Sequence, residues 1–157
     1  MLIENRGNAR KIKLVFFLLP FLFVFTVGPL IIFDITQGFE IVVSLAIVIV
    51  LIYLLISVLG FNYLEISIDE KAFQIKYFGL APLNKEYKAI KMKPNEMARY
   101  EIKKTLLGLK TVLYIYRKNR GEMYKYPAIS INALNKTDKE KLIKGLELLI
   151  KINSKLT

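Results

Sequence analysis

Leu14–Phe33 (LVFFLLPFLFVFTVGPLIIF) and Ile41–Gly60 (IVVSLAIVIVLIYLLISVLG) decide the architecture of this chain, because neither contains a charged residue. Twenty residues of helix rise roughly 30 Å, the thickness of a bilayer's hydrocarbon core. In lipid a single segment satisfies its own backbone only as a helix, so both stretches are expected to be transmembrane helices. The β-branched residues of the second do not oppose this, since burial in lipid overrides a weak propensity. Seven residues, Asp34–Glu40, separate the two. That is too few to recross the bilayer, so the helices form an antiparallel hairpin.

The flanks orient it. The turn holds Asp34 and Glu40 and no Lys or Arg, whereas Arg6, Arg10, Lys11 and Lys13 precede the first helix. The positive-inside rule then places residues 1–13, a basic N-terminal segment, in the cytoplasm. A second crossing returns residues 61–157 to the same side. The expected location is the cytoplasmic (inner) membrane, with both termini inside. A cleaved signal peptide would have a shorter apolar core and an A-x-A-like site, and two adjacent uncharged runs do not suit the core of a soluble fold. Pro20 and Pro29 lie inside the first helix, as tolerated membrane prolines or as a kink. Thr26, Ser44, Tyr53 and Ser57 offer weak interhelical hydrogen bonding. Apart from the Tyr53 phenol no ionisable group lies in either span. A transporter or proton relay normally needs one, so the hairpin reads as an anchor.

Composition removes many chemistries. The chain has 157 residues, 54% of them hydrophobic, and no Cys, His or Trp. Without Cys there is no disulfide, thiolate metal site or thiol nucleophile; without His the commonest general base is missing. No Gly-rich phosphate loop or G-x-S-x-G motif is present. No catalytic, cofactor-binding or metal-ligating residues are assigned, and no cofactor is expected. Of the net charge of +11, nearly all sits after residue 60, with twenty basic and ten acidic residues. An anionic partner follows. Tethering beside a bilayer favours lipid headgroups over nucleic acid.

From Phe61 the hydrophobic period becomes two. Leu64, Ile66 and Ile68, then Phe73, Ile75 and Tyr77, make a β-hairpin around Asp69–Ala72. Further strands are expected near Glu86–Met92, around Tyr100 and Ile102, over Thr111–Arg117, and over Met123–Ile131 with Pro127 as a bulge or edge position. The turn before the last lies at Asn119–Gly121. The final segment has helical period: Leu142, Ile143, Leu146, Leu149 and Ile150 form one apolar stripe. Thr137 and Glu140 have the spacing of a capping box. The fold class is thus a membrane helical hairpin plus an α+β domain of six or seven antiparallel strands closed by a C-terminal amphipathic helix.

Strands followed by a C-terminal helix, behind a two-helix hairpin, resemble the bacterial pleckstrin-homology-like domain proteins. The resemblance covers most of the chain and is architectural. It implies a small, partly open β-barrel closed by the helix from about Thr137 to Ile152, and often no enzymatic activity. Eukaryotic relatives that bind phosphoinositides carry Lys and Arg around their first hairpin loop. Here that loop, Asp69–Ala72, is short and net acidic, so inositol-phosphate binding is not carried over.

The candidate contact surface is Arg99, Lys103, Lys104 and Lys110 around Leu106, Leu107 and Leu109. It reads as a basic loop with an apolar tip that rests on anionic lipid or fits a membrane-protein partner; a solvated loop is the plainer alternative. Tyr114, Tyr116, Tyr124 and Tyr126 share one parity and are expected to form a cross-strand aromatic ladder. Together these features lead to a non-enzymatic, membrane-anchored binding or scaffold module. An accessory subunit of a larger membrane complex and an enzyme with an unrecognised site are the alternatives.

Overall fold

The computed structural model describes residues 1–32, 39–69, 72–82, 86–119 and 121–155. Of the expected turns, Asp34–Gly38, Glu70, Lys71 and Arg120 lie outside these residues.

Two long apolar helices stand on a mixed domain. Helix α1 runs Arg6–Ile32 and α2 runs Phe39–Leu59. Both contain a stretch long and apolar enough to cross a membrane, and only 11% of each stretch is buried by the rest of the chain. They are therefore not core helices of this fold. Phe16 of α1 and Tyr53 of α2 pack edge to face at 5.9 Å, and Val27, Val42 and Ile49 are buried along the pair. The expected interhelical hydrogen bonding is not seen among the described residues. Thr26 Oγ1 donates instead to Leu22 O, one turn back in its own helix, at 2.7 Å.

Among the described residues the domain contains eight antiparallel strands in two sheets of four. The first has the order β1 (Leu2–Glu4), β2 (Asn62–Ile68), β3 (Phe73–Gly79), β4 (Lys88–Met92). The second is built on β5 (Met97–Thr105), β6 (Lys110–Asn119) and β7 (Glu122–Lys125), with β8 (Ile129–Ser130) also paired to β6. Among the described residues no strand pair joins the sheets, so the domain is not a closed barrel. The expected strand over Met123–Ile131 is two strands, interrupted at Tyr126–Ala128, where Pro127 cannot donate to a ladder.

Strand β1 was not foreseen, because three residues carry too little periodicity. It takes the free edge of β2, with Ile3 opposite Ile66. Ile66 faces Ile75, and Ile75 faces Ile90. Four buried isoleucines thus form one row across all four strands of the sheet. In the second sheet Ile102, Leu113 and Ile129 align in the same way. Helix α3 (Lys136–Lys155) lays Leu142, Leu146 and Leu149 on this core. Its cap differs from the capping box expected at Thr137. Asn135 Oδ1 accepts the Asp138 N–H at 2.7 Å, so the helix begins two residues earlier and Thr137 lies inside it.

Candidate membrane-facing site

Both feet of the helical pair are bonded to the domain. At the first foot, Asn5 joins β1 to α1 while its amide side chain reaches into the sheet. Its Oδ1 accepts the Leu64 N–H at 2.8 Å, and its Nδ2 donates to Asn62 O at 2.9 Å. One turn into the helix, Asn8 Nδ2 donates to Ala133 O at 3.2 Å. The adjacent Glu4 carboxylate receives the Tyr63 hydroxyl and pairs with Arg6 Nε at 2.8 Å. It is held below the usual carboxylate range, first by the Tyr63 hydrogen bond. A carboxylate beside a helix N-terminus also suits the helix dipole.

At the second foot, Gly60 ends α2 with φ +63°, and its N–H donates to Ser57 O at 3.1 Å. That left-handed geometry is what glycine supplies after a helix. Lys110 Nζ donates to Val58 O at 3.1 Å, and Ser130 Oγ donates to Leu59 O at 3.3 Å. A cation at a helix C-terminus is favourable for the same dipole reason. A Cβ on Gly60 would also come within 3.1 Å of Lys110 Nζ, so the lysine end would have to give way by a few tenths of an ångström.

Lys110 begins β6, and the residues before it form the tip of the β5–β6 hairpin. Leu106 and Leu107 both have positive φ, 50° and 54°, and Gly108 has φ 90°. Two leucines in the left-handed region store on the order of 1–2 kcal/mol each. Asn132 braces the turn's base, accepting the Thr111 N–H at 2.7 Å and donating to Leu109 O at 3.0 Å. The result projects Leu107 fully into the surroundings, at 104% exposure, with Leu109 also exposed. An apolar tip thus lies beside the end of an apolar helix.

The sequence-derived contact set divides between surfaces. Arg99 and Lys103 share the outer face of the second sheet with Tyr114 and Tyr116. Arg99 stacks over Tyr116 at 4.3 Å and Lys103 over Tyr114 at 5.7 Å. Lys104 lies on the opposite parity, exposed. Leu106 and Leu107 form the tip, and Lys110 is tied to α2. Glu101 sits between Arg99 and Lys103, at 3.3 and 3.1 Å. Its carboxyl is pulled below the usual range, first by the Lys103 hydrogen bond, while Lys103 is raised by the same contact. Of the basic N-terminal residues, Arg6 is paired to Glu4, and Arg10, Lys11 and Lys13 continue along the first turns of α1.

The four-tyrosine ladder does not form. Tyr116 pairs with Lys125 and Arg117 with Tyr124, so the turn offsets the two strands by one residue. Tyr124 therefore faces away from Tyr114 and Tyr116, and Tyr126 packs against the core. Lys125 takes the expected tyrosine's place, 4.2 Å from the Tyr114 ring. This cation was missed because the parity of β7 depends on the turn, and only the register reveals it.

Among the described residues no three His, Cys, Asp or Glu side chains converge as metal ligands. Comparison with family models, with curated proteins and with solved structures finds no match, so the likeness to pleckstrin-homology-like proteins rests on element order alone.

Proposed function

We propose that this chain is a non-enzymatic, membrane-anchored binding module. In this reading α1 and α2 cross the bilayer, residues 1–13 and the domain lie together on the cytoplasmic side, and the Leu106–Leu109 tip rests in the lipid interface. The domain is read as a pleckstrin-homology-like unit, its two sheets sharing one hydrophobic core. One observation carries the reading: Lys110 fastens the base of the apolar tip to the last turn of α2. Where α2 leaves the hydrocarbon, the tip is held at the same level. The basic first turns of α1 fit the same boundary. Its 27 residues span about 40 Å, roughly 10 Å more than the hydrocarbon core. That excess matches the length of Arg6–Lys13.

The chain has no Trp, so a single introduced indole reports its own surroundings. In lipid nanodiscs Leu107→Trp is expected to emit at shorter wavelength than Met123→Trp, which sits about 25 Å further along the strands. Both native side chains are exposed. Equal, water-like emission from the two variants would refute the seated tip.

A second reading, an accessory subunit of a membrane complex, is favoured by one feature. A groove of about 300 Å³ on the helical pair, lined by Pro20, Phe23, Ile49 and Tyr53 among others, has room for another helix's side chains. Purification in mild detergent with a stoichiometric partner, from membranes where Leu107→Trp stays water-like, would favour it.

A further inference from the structure

A cleft of about 560 Å³ opens beside the second foot of the hairpin. Its volume lies within the range of small-molecule sites. Val58 and Gly60 at the end of α2 form one wall, Tyr77 and Tyr114 contribute aromatic surface, and Lys88 and Lys110 supply charge. Leu106 of the apolar tip is at its edge. The Lys103 and Lys125 ammonium groups flank the Tyr114 ring from outside.

We infer that this cleft takes the phosphate-bearing headgroup of an anionic membrane lipid, with Lys88 and Lys110 as the anion-binding groups. The inference rests on the membrane reading above. Three observations carry it. First, the cleft begins where the apolar helix ends, which is the depth of lipid phosphates in a bilayer. Second, among the described residues its cations keep donors in reserve. Each ammonium has three N–H groups; Val58 O takes one from Lys110 at 3.1 Å, and Glu86 takes one from Lys88 at 2.8 Å. Third, the lining is mixed. Tyr77, buried, has no hydrogen-bond partner for its hydroxyl among the described residues, and burial raises its pKa. It remains a neutral donor for a phosphate oxygen while Leu106 and Val58 meet the apolar side of the ligand. A free phosphate would use the lysines and the tyrosine but leave the apolar edge idle.

The test uses the full chain in nanodiscs of phosphatidylcholine with a minor share of phosphatidylglycerol, extracted gently and read for retained lipid by native mass spectrometry. Wild type is expected to hold phosphatidylglycerol above its bulk share. Lys88→Gln should lower that retention about fivefold, as should Lys110→Gln. Lys88→Arg should preserve it, as should Lys118→Gln at the far end of β6. Because Lys110 also holds α2, Lys88→Gln with an unchanged melting curve is the deciding variant. Retention at bulk share, or enrichment untouched by Lys88→Gln, overturns the inference. So does displacement of the lipid by millimolar inorganic phosphate, which would mark a free-anion site. Failure of the chain to enter nanodiscs at all would defeat the membrane reading instead.

Discussion

Asn5→Ala should loosen the first foot of the helical pair from the domain. Asn5 is 3% exposed and makes two side-chain bonds into the sheet. Removing its amide leaves the Leu64 N–H without an acceptor, inside a residue that is wholly buried. An unsatisfied buried donor costs about 1–3 kcal/mol, and the lost bond to Asn62 O adds about 1 kcal/mol. The expected destabilisation is about 2–4 kcal/mol. It should appear as loosening of β1 from β2, because the Asn5 side chain extends that ladder beyond Glu4. Hydrogen exchange of β2 peptides in nanodiscs reads it directly. At a tenfold change per 1.4 kcal/mol, exchange should accelerate about 30- to 700-fold. Asn8→Ala is the internal control, since it removes a single, partly buried bond to Ala133 O and should cost about 0.5–1.5 kcal/mol. If Asn5→Ala changes β2 exchange less than Asn8→Ala does, the side chain is not the clamp and the reasoning fails.

Gly60→Val combines a strained φ with a close approach to Lys110, and should lower stability by about 1–3 kcal/mol in a chemical denaturation series. Adding Lys110→Ala should restore only the steric part. Leu146→Ala, at a fully buried position of α3, should cost about 2–5 kcal/mol. Leu148→Ala, on the exposed face of the same helix, should stay within about 0.5 kcal/mol. Glu101 is held below the usual carboxylate range. Its ion pairs therefore stabilise the fold above that range and are lost as pH falls through the depressed value. Glu101→Gln should be less stable than wild type at neutral pH and match it in acid; a gap that does not close would contradict the pairing.

The sequence made the large periodic features legible and concealed those set by register or by short segments. Two uncharged twenty-residue runs announce long apolar helices by their length and composition. Alternation in Leu64–Ile68 and Phe73–Tyr77 located β2 and β3 because one face of each must be buried. Asn135 was passed over as a cap because Thr137 and Glu140 offered a stronger local pattern, yet Asn135 is the residue positioned at the helix entrance. The contact set grouped Leu106, Leu107 and Lys110 as one loop, without the tie from Lys110 to α2. Fifty-two residues separate Lys110 from Val58, and no local pattern encodes such a contact. Lys125 escaped for another reason, the offset that the turn before β7 imposes on its parity.

Strand β1 gives the architecture its logic. Its partner β2 lies beyond both apolar helices in the sequence, yet Leu2–Glu4 pair in register with Glu65–Ser67. A chain that crosses a bilayer between two paired strands must cross an even number of times, so two crossings are compatible with this sheet and one is not. The same pairing ties the two ends of the hairpin together, since β1 precedes α1 and β2 follows α2. A fragment beginning at residue 61 would lack Ile3 from the four-isoleucine row and leave the β2 edge unpaired, a known route to aggregation. The domain is therefore expected to be well behaved only with its hairpin attached. A residue 61–157 fragment that stayed monomeric, with β2 as protected from exchange as in the full chain, would show that β1 is decoration and not part of the fold.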